Sequence, residues 1–174
     1  ITYGKLENGF TYYIRENQTP KDKVSIKLII KAGSIMEDEN QLGLAHLLEH
    51  MAFNGSKNFP KRKIDEYMSS IGLNIGSHYN ASVGFLKTNY VYEIPTNNDD
   101  DVEVALKILT DISKNLSLEP EAFERERKIV EEEWRTDIGG SKNYINEFHK
   151  VMFKNSRFNE RKPIGTLDII QNFK

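Results

Sequence analysis

Residues 42–53 read Leu-Gly-Leu-Ala-His-Leu-Leu-Glu-His-Met-Ala-Phe, an apolar stretch broken only by two His and one Glu. Its length, and the Asn54-Gly55 stop signal behind it, predict one buried helix over Leu42 to Phe53. On a wheel of 100° per residue with His46 at 0°, His50 falls at about +40° and Glu49 at about −60°, so all three share a face. Leu44, Leu47, Leu48 and Met51 fall on the other side and are expected to bury it. Two imidazoles one turn apart can grip a single metal ion while the carboxylate reaches a coordinated water. With four His in 174 residues, this H-x-x-E-H spacing would arise by chance in roughly one such sequence in a hundred. A buried helix with internally hydrogen-bonded histidines stays open on the pentapeptide alone, provided the rings find partners.

A metal held by two histidines needs a further ligand from another element. Pro120 opens a second helix, expected to run to about Ile138 before Gly139-Gly140. With Glu126 at 0° on its wheel, Ile129, Val130 and Trp134 fall at about −60°, +40° and +80° and mark an apolar face. Glu133, at about −20°, lies inside that face with Glu126. Glu131 and Glu132 lie at about +140° and −120°, where a solvated charge run belongs. Carboxylates in an apolar stripe are costly unless they meet a cation or donors. A wholly solvated charged face is the competing reading at this point.

Around these helices, Thr2 to Glu7 and Phe10 to Arg15 flank Asn8-Gly9 and predict a hairpin with a two-residue turn. Val24 to Lys31 is β-branched and reads as a strand, followed by a polar loop over Ser34 to Gln41. Ile64, Met68 and Ile71 recur at helical spacing. Two strands are expected around Tyr79 to Phe85 and Thr88 to Ile94, then a helix that begins at Asp99–Asp101 and carries Leu106, Leu109, Ile112 and Leu116. Further helices are expected over Tyr144 to Phe153 and from Thr166 to Phe173. The fold class is α+β: an antiparallel-rich mixed sheet packed by helices, in one layered domain.

Composition narrows the function. The 24 basic and 26 acidic residues give a formal charge of −2, so no basic field is available for a nucleic-acid backbone. With no Cys, thiolate metal sites, disulfides and cysteine nucleophiles are excluded, and any metal must be held by His and carboxylates. No apolar run is long enough to span a membrane. Ile1 in place of Met, and an end at Lys174 without a breaker, read as cut ends.

The stretches H-L-L-E-H-M-A-F-N-G-S from His46, N-A-S-V-G-F-L-K-T-N-Y from Asn80 and E-R-K-I-V-E-E-E-W-R from Glu126 resemble the pitrilysin/insulinase family of H-x-x-E-H zinc metallopeptidases. The nearest likeness is to its bacterial mitochondrial-processing-peptidase-like branch. Asn8-Gly9-Phe10, Lys31-Ala32-Gly33-Ser34, Gly43-Leu44-Ala45 and Pro163-Ile164-Gly165-Thr166 extend the likeness over nearly the whole chain. The resemblance implies one Zn2+, His46 and His50 as its ligands, and Glu49 as the base that activates water and returns the proton to the leaving amine. Counting 76 residues from His50 would select Glu126 as third ligand, but the local pattern E-R-x-x-V-x-x-E selects Glu133 and leaves Glu126 as an accessory catalytic carboxylate. We adopt Glu133, because register on one helix survives loop insertion better than a long-range count.

Asn80, Ala81 and Ser82 match the family's edge strand, on which an extended peptide or unfolded polypeptide substrate adds by main-chain pairing. Ser82 stands where an aromatic is common and Lys87 where an acid is common. His78 is expected to be a loop histidine without a metal role, and nothing pairs His149 with a motif. The resemblance further implies that residues 1–174 are one N-terminal zinc-binding peptidase domain, half of a chamber completed by C-terminal domains or a homologous partner subunit. Alone, such a unit would bind zinc and peptide without cleaving. A bacterial periplasm is favoured over the cytoplasm.

Overall fold

In the structure, a computed structural model that describes residues 1–137 and 141–173, strands β1 (Thr2–Lys5) and β2 (Thr11–Ile14) form an antiparallel hairpin. Its connection is longer than the two-residue turn expected from Asn8-Gly9. Leu6 N donates to Phe10 O (2.8 Å) and Gly9 N to Leu6 O (2.9 Å), and of the pair only Gly9 has positive φ, +88°. A three-residue loop needs one left-handed residue where the two-residue turn needs two. Asn8 instead accepts the Phe10 N–H on its side chain at 3.0 Å.

The main sheet has the order β3-β5-β4, built from β3 (Lys23–Ile30), β4 (Tyr79–Val83) and β5 (Thr88–Pro95), and both of its pairings are antiparallel. The one parallel element among the described residues is an isolated bridge, Ile75 to Tyr79. The described residues form seven α-helices: α1 (Leu44–Met51), α2 (Lys63–Ser70), α3 (Asp99–Lys114), α4 (Pro120–Asp137), α5 (Ser141–Met152), α6 (Arg157–Glu160) and α7 (Leu167–Asn172). The four-residue α6 carries no sequence signal of its own, and the polar loop after β3 contains a short 3-10 turn at Ser34–Met36. The expected Gly139-Gly140 stop lies outside the described residues.

Two cores result. Tyr90, Tyr92 and Ile94 alternate along one face of the central strand and pack with Ile64 and Met68 of α2 and Ala105, Ile108 and Ile112 of α3. A smaller core joins Leu47 of α1, Val130 of α4 and Ile170 of α7, with Phe123, Trp134 and Phe173 at its edge. This second core fixes α1 against α4. It takes Leu47 fully and Met51 is buried as well, but Leu48 stands 36% exposed and Leu44 is only part-buried, against expectation. The reason is angular: Leu48 is 100° round the helix from Leu47, outside the contact with α4. Ile129 is likewise 42% exposed, because the groove on α4 centres on Val130.

Asp111 of α3 ties the turn after α1 to this frame. Almost fully buried, it accepts from Ser56 Oγ (2.7 Å), Asn58 N (2.8 Å), Asn58 Nδ2 (2.9 Å) and Asn115 Nδ2 (2.9 Å). Although burial opposes its charge, these donors hold its pKa below the ordinary value. Asp111→Ala leaves several donors unpaired and should destabilise the chain by about 3 kcal/mol, read as a lower midpoint in urea with the slope unchanged.

Candidate metal centre

The helix α1 starts at Leu44 behind its N-cap Gly43, whose φ of +97° is one that ordinary side chains rarely adopt, and it is two residues shorter at each end than the sequence suggested. Its polar face presents His46, Glu49 and His50, and one ligand-type atom from each lies within 4.8 Å of the others. The helix α4 crosses behind it. Glu133 Oε2 lies 3.6 Å from His46 Nε2 and 3.5 Å from His50 Nε2, while Glu126 Oε2 meets the other side of the second ring, 3.3 Å from His50 Nδ1. Glu49 Oε2 is 3.9 Å from His46 Nε2. The two carboxylates seven residues apart on α4 therefore meet different atoms of the same imidazole.

With Glu126 accepting a hydrogen bond from Nδ1–H, the neutral ring of His50 carries its lone pair on Nε2, the atom that faces Glu133. The arrangement is reinforced by Asn54, whose side-chain amide donates to His50 O (3.1 Å) and accepts from Arg125. Burial pushes the His46 pKa down to about 4, helped by the neighbouring His50 charge. Burial opposes the charge on His50 too, but Glu126, Glu133 and Glu49 prevail and raise its pKa. Glu49 is raised by burial and by Glu133, against the pull of His50. Glu126 is held low by His50 and Asn54 in spite of burial.

The donor set fits a zinc ion. Tetrahedral zinc with bonds of about 2.0–2.2 Å separates adjacent ligand atoms by about 3.3–3.5 Å, close to the Glu133–histidine distances of 3.5 and 3.6 Å. The site is part-buried, with two imidazole nitrogens and carboxylate oxygens converging, and Arg125 pairs with Glu126 Oε1 at 3.7 Å. His46 Nδ1 is buried without a hydrogen-bond partner among the described residues.

Asn80, Ala81 and Ser82 lie on β4, an edge of the main sheet among the described strands, opposite Val91, Tyr90 and Asn89. The helix α1 packs against this strand. His78 is removed from them: its ring accepts from Asn74 N (3.2 Å) and staples a turn. His149 stacks on Phe85 and meets Phe153 edge-on. Sequence reasoning passed over Asn54, and it read Tyr90 only as a strand residue that keeps the family spacing, whereas its buried hydroxyl feels the Glu49 charge. Asn54 had a signal, four residues after His50, but Asn54-Gly55 reads first as a helix stop.

An H-x-x-E-H helix faced by glutamates from a second helix, beside an open sheet edge, defines the class: a metallopeptidase-type domain. The model of the insulinase family, peptidase family M16, matches residues 12–161. The chain belongs to that family. It is 37% identical over 171 residues to the probable zinc protease PqqL of Haemophilus influenzae, covering 98% of this chain and 18% of that protein. The crystal structure of the periplasmic protease PqqL from Escherichia coli superposes with a TM-score of 0.96 at 32% identity, over 99% of this chain and 19% of that one. A structure of the first half of the same E. coli protein gives 0.96 at 32% identity, over 99% of this chain and 37% of that one. The chain thus spans about a fifth of the length of the full PqqL proteins it matches.

The opposed histidine shifts set the pH profile of the metal-free chain. Depressed from 6.5 to about 4, His46 contributes stability that is present above pH 6.5 and lost as pH falls toward 4, about 3 kcal/mol in all. Raised above 6.5, His50 contributes stability that is present below 6.5 and lost as pH rises through its folded value. Thermal midpoints measured in chelator should therefore peak near pH 6.5. His46→Gln should flatten the acid limb and Glu126→Gln the alkaline one.

Proposed function

We propose that this chain is the zinc-binding domain of a longer endopeptidase that hydrolyses internal bonds of extended peptides. His46, His50 and Glu133 would hold the ion, and the observation that carries this reading is the approach of one Glu133 oxygen to both Nε2 atoms. Bound zinc supplies Lewis acidity, polarising the scissile carbonyl and bringing the pKa of water toward about 7. Glu49, raised by burial, takes the proton from the attacking water and returns it to the departing amine. Glu126 is the accessory carboxylate: it holds the His50 proton on Nδ1 and keeps Nε2 free to coordinate. The peptide adds along β4 at Asn80, Ala81 and Ser82, where main-chain groups carry affinity and neighbouring side chains carry preference. The substrate class is a peptide or unfolded polypeptide, and the compartment is a bacterial periplasm, in keeping with the E. coli relative described as periplasmic.

A second reading, a zinc- and peptide-binding unit inactive until C-terminal domains or a homologous partner subunit complete it, is favoured by one observation. Tyr144, Ile145, Phe148, Val151 and Met152 recur on one face of α5, all exposed. Residues 1–174 would then be one domain of a larger chamber. A quenched-peptide assay separates the two: cleavage by the 174-residue chain supports the first, and cleavage only by the full-length protein supports the second. Glu49→Gln should lower kcat about 10²–10⁴-fold without zinc loss. Glu133→Gln should weaken zinc binding more than the about 10–100-fold expected for Glu126→Gln. No cleavage by zinc-loaded full-length protein would overturn the mechanism, and zinc loss confined to Glu126→Gln would overturn the ligand assignment.

A further inference from the structure

Glu37 stands in the loop ahead of α1, and no step of the proposed reaction uses it. Its side chain is buried, and its two oxygens divide between two backbone donors: Oε2 accepts from Gly43 N–H at 3.0 Å and Oε1 from Ala45 N–H at 2.8 Å. These are donors at the open N-terminus of α1, which helix geometry leaves without internal partners. An ordinary capping side chain at the N-cap is barred. Gly43 has φ of +97°, and a Cβ there would come within 3.2 Å of Gly165 Cα and Ile164 O. The cap is supplied from six residues upstream instead.

Position within the helix makes this matter. An eight-residue helix has too few internal bonds to hold itself, and its ends open first. His46 is the third residue of α1, in its first turn, whereas Glu49 and His50 lie in the second. The carboxylate also meets the positive end of the helix dipole. Glu37 is in turn held in place: Arg161 Nε and Arg157 Nη2 each donate to Glu37 O at 2.8 Å, and Ser34 Oγ donates to Arg161 O at 2.6 Å. Arg161 is itself buried.

We propose that Glu37 is a positioning residue for the metal centre: its carboxylate fixes the first turn of α1 and thereby the ring of His46. The proposal rests on the reading of His46 as a metal ligand. Co(II) titration of the 174-residue chain, followed by visible absorption and chelator competition, tests it against two variants. Glu37→Gln keeps one acceptor but turns an amide donor on the second N–H. It should bind Co(II) about tenfold more weakly, with a shifted d–d band. Tyr67→Phe removes a part-buried hydrogen bond to Asp101 (2.7 Å) remote from the Glu37 loop and leaves the Glu37–helix contacts intact, so it should keep the parent affinity and spectrum.

Parent-like affinity and spectrum in Glu37→Gln would overturn the proposal, as would equal weakening in Tyr67→Phe, which would mark a general loss of structure. Should Glu37→Gln not fold, Glu37→Asp carries the test, its shorter carboxylate giving weaker binding if the proposal holds and parent affinity if it does not. A parent chain that binds no Co(II) would remove the metal-site reading and the positioning role together. Binding by the parent with an unaffected Glu37→Gln would remove the positioning role alone.

Discussion

A helix of eight residues cannot keep its own shape in water, yet α1 holds three titratable side chains with ligand-type atoms within 4.8 Å of one another. Everything near it serves to remove that freedom. Leu47 locks one side into the core with Val130 and Ile170, Glu37 takes the backbone donors at the start, and Asp111 pins the turn that follows the end. The sheet supplies the remaining wall, since α1 packs against β4 and the buried Tyr90 beside it approaches Glu49. Rigid support of this kind is what a metal centre needs, because a ligand displaced by a fraction of an ångström loses much of its bond.

Charge is the second constraint. Two imidazoles and three carboxylates crowd one small volume, and burial disfavours each charge that lacks a partner. The outcome is a division of labour between chemically identical groups. His46 stays neutral over the ordinary range, His50 leans on Glu126, and burial holds the Glu49 pKa above its ordinary value. Glu133 differs from the other two glutamates in being 45% exposed in its side chain. It keeps contact with water while facing both rings.

Much of this was legible in the sequence because it is periodic. Spacing alone put His46, Glu49 and His50 on one face and Glu126 and Glu133 in one stripe. What spacing could not say is that the two glutamates address opposite nitrogens of His50, since that depends on how two helices cross. Glu37 was invisible for a related reason: a loop residue that caps a later helix leaves no repeat, and its neighbours read only as polar loop. The buried Arg161 gave no sign either, because its partners are main-chain carbonyls and a distant glutamate. The hairpin turn, the exposed Leu48 and the exposed Ile129 differ from expectation through local geometry that patterning does not resolve. The alternation of Tyr90, Tyr92 and Ile94, by contrast, marked the core strand directly.

The central claim is a centre with two imidazole nitrogens and one glutamate oxygen contributed by two helices. Zinc K-edge X-ray absorption of the zinc-loaded chain tests it most directly. Expected is a low-coordinate shell of nitrogen and oxygen at about 2.0–2.2 Å, with outer-shell scattering from two imidazole rings that drops to one ring in His46→Gln. Scattering from one ring or none in the parent chain, or a six-coordinate shell of water and carboxylate oxygens, would contradict it.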